Sequence, residues 1–406
     1  MKILENIATL YTCAMDGEQK DVHPIPNAAL IWDNDSIVWV GKADEVPANY
    51  PINQRFDAEG RIVLPGLIDC HTHLAFGGWR ADEFELRSLG AAYIDIAKAG
   101  GGILSTVKNT RKATKYELKE KARGVLAQMT ALGVTTVECK SGYGLTTEDE
   151  IKVLEVYKEL KTDVPNRLVS TFLGAHTIPP EFIERRDEYI DLLCKEMIPK
   201  ISEAKLAEFC DIFVEISAFT IEEARRILET GKAHGLSPKI HADQLSCSSG
   251  AELAAELGAA SADHLEYISD QGISDMAKKG VVAVSLPLAT FYLCQPAIPA
   301  RKLIEAGVPV AVSTDFNPGS APSFHLPMAM MMACTLQKMS PAEALKGTTI
   351  YAAKAIQRDS EIGSLEAGKK ADFIEIDAEN VNHWLYHFRS NACERVFING
   401  EHIHGN

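Results

Sequence analysis

Between residues 64 and 359, short apolar runs alternate with longer stretches of helical spacing. The runs fall at 64–69, 134–139, 167–173, 211–216, 238–241, 261–264, 281–286 and 308–313. Short apolar runs bounded by turn residues read as strands buried on both faces. The segments between them carry helix signals. Thr114 and Glu117 form a capping box ahead of Leu118, Ala122, Val125, Leu126, Met129 and Leu132, which share one helical face. Thr147 with Glu150 and Thr220 with Glu223 repeat the signal, and Gly235 stops the last of these helices. Eight strand–helix units over this length predict an α/β fold of the (β/α)8 TIM-barrel type. A doubly wound open sheet is the alternative, but it usually carries a Gly-rich βα fingerprint, and none stands here. The first unit is long, with an insertion at 74–113 that contains Gly100-Gly101-Gly102.

Both ends of the chain read differently. Ala29-Leu30-Ile31-Trp32 and the segment 36–41 look like strands around Asp33-Asn34-Asp35. Residues 370–377 alternate apolar and polar, and 395–400 do so before a turn. The expectation is a small β domain built from both termini, residues 1–63 and 360–406, around a barrel at 64–359.

Composition narrows the function. The 406 residues carry 41 Lys+Arg against 56 Asp+Glu, a formal charge of −15, which disfavours a nucleic-acid partner. No apolar run approaches the roughly 20 residues that span a bilayer, so no membrane partner is expected. Met1-Lys2-Ile3-Leu4-Glu5-Asn6 has no signal-peptide pattern. The nine cysteines are scattered without a CxxC pair, which points to a reduced, cytoplasmic protein with neither a disulfide framework nor a zinc ribbon.

In a TIM barrel the chemistry sits at the C-terminal ends of the strands. There the chain places His71-Thr72-His73, then Lys140-Ser141-Gly142-Tyr143-Gly144, His176, Glu215, His241-Ala242-Asp243-Gln244, Asp263-His264, and Ser313-Thr314-Asp315. Five of the 12 histidines fall on this rim. A single histidine is more often an ordinary core or surface residue; five converging on one rim are not. His71 and His73, two apart on an extended segment, point the same way. With His241 and Asp315 they make a His3Asp set that leaves a position for water, as a catalytic metal site does.

The motifs PGLIDCHTH (65–73), Ser313-Thr314-Asp315 and GSLEAGKKAD (363–372) resemble the amidohydrolase superfamily. The resemblance implies a metal-dependent hydrolase on a (β/α)8 barrel, with the terminal segments forming a β-sandwich. HLAFGGWR (73–80), ECKSGYGL (138–145), FLGAH (172–176) and DFNPGS (315–320) are similar, more narrowly, to the imidazolonepropionase family, the ring-opening hydrolases of histidine degradation. That resemblance implies hydrolysis of 4-imidazolone-5-propanoate, a cyclic amide, to N-formimidoyl-L-glutamate. It implies one divalent metal, Zn2+ or Fe, on His71, His73, His241 and Asp315, with Asp315 and His264 as the acid/base pair. Arg80, Tyr93, Tyr143, His176 and Gln244 would contact the anionic substrate, and Asn317, Gly319 and Ser320 would hold the glutamyl end. A homodimer is also implied. Related deaminases carry a Glu three residues after the metal histidine, where this chain has Gln244. Many amidohydrolases bridge two metals with a carboxylated Lys at the end of the fourth barrel strand. Here that position reads Val214-Glu215-Ile216, and Lys140 lies on the second strand, so a single metal is expected.

Overall fold

The computed structural model describes residues 1–90, 101–216 and 218–405. The N-terminal segment forms β1 (Lys2–Tyr11), β2 (Pro24–Asp33), β3 (Ser36–Lys42), β4 (Gln54–Asp57) and β5 (Ile62–Pro65). β1 pairs with β2 along one edge, and along the other with β4 near its start and β5 near its end. Its register slips between Leu4 and Ile7, where Asn6 takes a left-handed φ of 55°. That bulge bends the strand so that it can serve two neighbours.

The barrel follows as β6 (Leu67–Thr72), β7 (Val134–Lys140), β8 (Arg167–Ala175), β9 (Phe209–Val214), β10 (Ser237–Ala242), β11 (Ser261–His264), β12 (Val282–Ser285) and β13 (Val310–Val312). These eight strands lie side by side in chain order, and every described neighbour pair is parallel. The seam between β13 and β6 is stitched just past the strand end. Asp315 N donates to His71 O at 3.1 Å and His73 N donates to Phe316 O at 2.8 Å. Below it, Asp69 accepts from Thr314 N at 3.1 Å and Thr314 Oγ1 at 2.6 Å, and also from the Ser313 hydroxyl. Closure removes the exposed strand edges. The TIM barrel expected from the strand count is the one that forms.

The chain returns to the terminal sheet through β14 (Phe373–Ile376), β15 (Cys393–Ile398) and β16 (Glu401–His404). β14 pairs with β5, so both ends of the chain share one sheet. In strand order, β2 and β15 are separated by β1, β5 and β14. Yet the Trp32 ring lies 5.9 Å from Phe397 and 5.2 Å from Phe373. The sheet therefore folds over on itself around an aromatic core, and the expected β-sandwich is present. Among the described residues, no helix is long and apolar enough to cross a membrane.

Two capping boxes form as read. Thr114 and Glu117 open the helix Lys115–Ala131, and Thr220 and Glu223 open Ile221–Ala233, which ends before Gly235 at φ 82°. The third reading is corrected. Thr146, not Thr147, caps the helix Thr147–Asp163, accepting from Asp149 N at 3.1 Å. Glu150 instead turns inward and is fully buried. It accepts from Gly142 N at 3.0 Å, Gly144 N at 2.8 Å and Leu145 N at 2.8 Å. Three otherwise unsatisfied amides of the loop after β7 outweigh one helix cap.

Candidate active site and metal centre

β6 runs through Thr72, so His71 ends inside the strand and His73 just beyond it. This puts His71 and His73 on one side of an extended segment, facing the interior. His71 Nε2 and His73 Nε2 each lie 3.4 Å from Asp315 Oδ1. One donor atom from each of these three side chains fits within 4.8 Å of the others, and His71, His241 and His264 meet the same condition. The His241 ring sits 4.5 Å from that of His71 and 5.6 Å from that of His73. His71 Nε2 and His241 Nε2 are buried without a hydrogen-bond partner. Leaving such groups unpaired costs about 1–3 kcal/mol each. A cation coordinated by these nitrogens and by Asp315 would satisfy them, so the donor set fits a divalent metal.

Beneath the donors lies a layer of buried charge. His71 Nδ1 is 2.6 Å from Asp263 Oδ2, and His241 Nδ1 is 3.1 Å from Asp211 Oδ2. Carboxylates placed this way orient a metal-binding imidazole and fix its tautomer. Lys140 Nζ stands between them, 2.8 Å from Asp211 Oδ2, 3.0 Å from Glu138 Oε1 and 3.6 Å from Asp263 Oδ2. Burial alone would lower the Lys140 pKa; the charges of Asp211, Glu138 and Asp263 outweigh it and raise the pKa above the ordinary lysine range. A carbamate forms on a neutral amine, whereas this one is held as ammonium.

The ionisable groups of this centre are buried and shifted. Burial would raise the Asp315 carboxyl, but the His71 and His73 imidazoles beside it outweigh burial and hold the carboxyl well below its ordinary value. Burial pushes His73 down to about 4 and keeps His264 well below the ordinary histidine value. Both imidazoles are therefore neutral near pH 7. The His264 ring lies 5.3 Å from His241 and 5.7 Å from His71. His264 and Asp315 both hold left-handed backbone, at φ 79° and 56°, a strain found where surrounding structure forces a side chain toward a site. Glu266 Oε2 sits 4.0 Å from His264 Nδ1, and Glu266 Oε1 accepts from Thr290 Oγ1 at 2.7 Å.

The expected substrate contacts gather around this centre to different degrees. The His176 ring stacks on His73 at 5.1 Å, and Tyr143 is 5.6 Å from His73 and 5.3 Å from His176. His176 Nδ1 is 3.1 Å from Gly142 O. Because a carbonyl only accepts, Nδ1 carries the proton. Glu150, through Gly142, Gly144 and Leu145, sets the loop that carries Tyr143. Gln244 is half-buried on the rim just past β10. Asn317 is buried and spends its amide inside its own turn. Its Oδ1 accepts from Gly319 N and Ser320 N at 2.7 Å each, while Nδ2 donates to Asp315 O at 2.7 Å and Ser320 Oγ at 2.9 Å. Arg80 packs on this turn: a Cβ at Gly319 would collide with Arg80 Nη1. Tyr93 lies at 91–100, outside the described residues. The sequence reading assigned no role to Asp211, Asp263, Glu138 or Glu266. Glu138 and Asp211, charged residues within strands that read as buried on both faces, carried a readable signal.

The amidohydrolase family profile matches residues 62–403. An imidazolonepropionase from Geobacillus sp. (strain WCH70) is 48% identical, covering 98% of this chain and 96% of its own. One from Fusobacterium nucleatum subsp. nucleatum is 47% identical, covering 98% of each. Among solved structures, an atrazine chlorohydrolase from Arthrobacter aurescens TC1 complexed with zinc superposes with a TM-score of 0.73 at 19% identity, over 100% of this chain and 96% of its own. An adenosine deaminase from Xanthomonas campestris with bound zinc gives 0.70 at 18% identity, over 99% and 92%. The structural matches show a shared fold; the sequence matches, at nearly full length, place this chain in the imidazolonepropionase branch of the amidohydrolase family.

Proposed function

We propose that the chain hydrolyses 4-imidazolone-5-propanoate to N-formimidoyl-L-glutamate with one divalent metal, Zn2+ or Fe, held by His71, His73, His241 and Asp315. The convergence of those donors at the C-terminal ends of the barrel strands carries the reading, and the relatives' identity supports the substrate. A metal bound there would lower the pKa of water from 15.7 to about 7 and polarise the ring carbonyl. Asp315 directs Oδ1 at His71 and His73, and takes the attacking water's proton on Oδ2. His264, neutral and buried, donates a hydrogen bond to the developing oxyanion. Water oxygen bonds to the carbonyl carbon, the ring C–N bond breaks, and Asp315 returns the proton to the departing nitrogen. Arg80 binds an oxygen of the anionic substrate, with Tyr93, Tyr143, His176 and Gln244 around the ring and Asn317, Gly319 and Ser320 at the glutamyl end.

Two features support a single metal and a cyclic amide. Lys140 is held as an ammonium by its carboxylates rather than offered as a bridging carbamate. Gln244, an amide, cannot shuttle a proton as the deaminase glutamate does. The free thiols of all nine cysteines suit a reducing cytoplasm, and a homodimer is the proposed assembly. The test is loss of 4-imidazolone-5-propanoate, with metal content measured on the same sample. Turnover with one metal per chain is expected. Ammonia release from guanine or cytosine, without turnover of the imidazolone, would overturn the reading.

A further inference from the structure

Arg80 stands at the N-terminus of the helix Ala81–Ser88, and Glu83 lies in its first turn. Glu83 Oε2 accepts from Arg80 Nε at 2.8 Å and lies 2.7 Å from Arg80 Nη2. Glu83 Oε1 accepts from Gly102 N at 2.9 Å, across the insertion. An ion pair of this spacing on an open helix contributes little. This one is enclosed, with both side chains only 12% exposed, and its second oxygen is tied to backbone. The opposite corner of the guanidinium, Nη1, lies against Gly319. From Gly319 the contacts run through Asn317 to the Asp315 carbonyl. The guanidinium is thus gripped along its Nε edge while its other end faces the loop that carries a metal ligand.

We infer that Glu83 is a positioning residue for substrate recognition, holding the Arg80 guanidinium so that its Nη1 end meets a carboxylate or amide oxygen of the substrate beside the 317–320 turn. The inference rests on the reading of Arg80 as a substrate-binding residue. A planar fork that is already oriented loses less freedom when the anion arrives. Without Glu83, Arg80 keeps its charge but loses its direction, so binding suffers and the bond-breaking step does not.

The experiment is steady-state kinetics on the metal-loaded enzyme for Glu83→Gln, Glu83→Asp, Arg80→Ala and the double variant Glu83→Gln/Arg80→Ala. Glu83→Gln should raise KM by about tenfold with kcat within about twofold. Glu83→Asp, charged but one methylene short, should fall between it and the parent. The double variant should match Arg80→Ala alone, because Glu83 acts only through Arg80. Melting temperature and metal content should stay at the parent's values in Glu83→Asp. A KM unchanged by Glu83→Gln while Arg80→Ala raises it would overturn the role of Glu83. Additive effects in the double variant, or a loss confined to kcat, would do the same. A KM unchanged in both Glu83→Gln and Arg80→Ala would instead remove the reading of Arg80, and the inference with it.

Discussion

His71 Nδ1 lies 2.6 Å from Asp263 Oδ2, and neither side chain reaches solvent. The pair joins residues 192 positions apart and sets which nitrogen of His71 faces the site. Asp263→Asn keeps the shape but removes the charge that orients the ring. Its metal affinity should fall by about 10–100-fold. Metal retained after dialysis against graded chelator is the measurement. Parent-like retention would contradict the role.

In the proposed mechanism Asp315 serves as both ligand and base. Asp315→Ala should reduce kcat/KM by roughly ten-thousand-fold, and excess metal should not restore it. Near-normal turnover in the metal-supplemented variant would refute the mechanism.

Glu150 holds three backbone amides below Tyr143 and His176. Glu150→Gln turns an amide NH2 toward donors that need an acceptor. A loss of about 1–3 kcal/mol in urea denaturation is expected, with a raised KM as the Tyr143 loop loosens. Unchanged stability would show that the loop holds itself.

Glu266 gives a pH signature. Burial raises its carboxyl from the ordinary 4.5 to about 7, against the hydrogen bond from Thr290. Between those values the folded chain keeps a proton that the unfolded chain has released, so this group favours the folded state less as pH rises from about 4.5 to about 7. Glu266→Gln should remove that component. The difference between parent and variant urea midpoints, measured across this window, should slope; a flat difference would place the Glu266 pKa at its ordinary value.

Much of the architecture is legible because its signals are local. All eight barrel strands fall within a few residues of the apolar runs. Thr114 with Glu117 and Thr220 with Glu223 cap their helices as read. The same reading fails at Glu150, since a spacing of three residues cannot reveal that three loop amides lie within reach. Lys140 likewise reads as one lysine in a motif, and only its neighbours show why it is an ammonium.

Residue order alone therefore determined the count of barrel strands, the rim histidines, Asp315, Arg80 and the family motifs, because periodicity and spacing act over a few residues. The tertiary structure decided the rest. Strand order and barrel closure bring His71 to Asp315 across the seam, and Lys140 to Asp211 and Asp263 below the site. A buried charge takes its protonation state and its role from the groups within a few ångströms of it. Those groups are chosen by the packing of strands far apart in the chain.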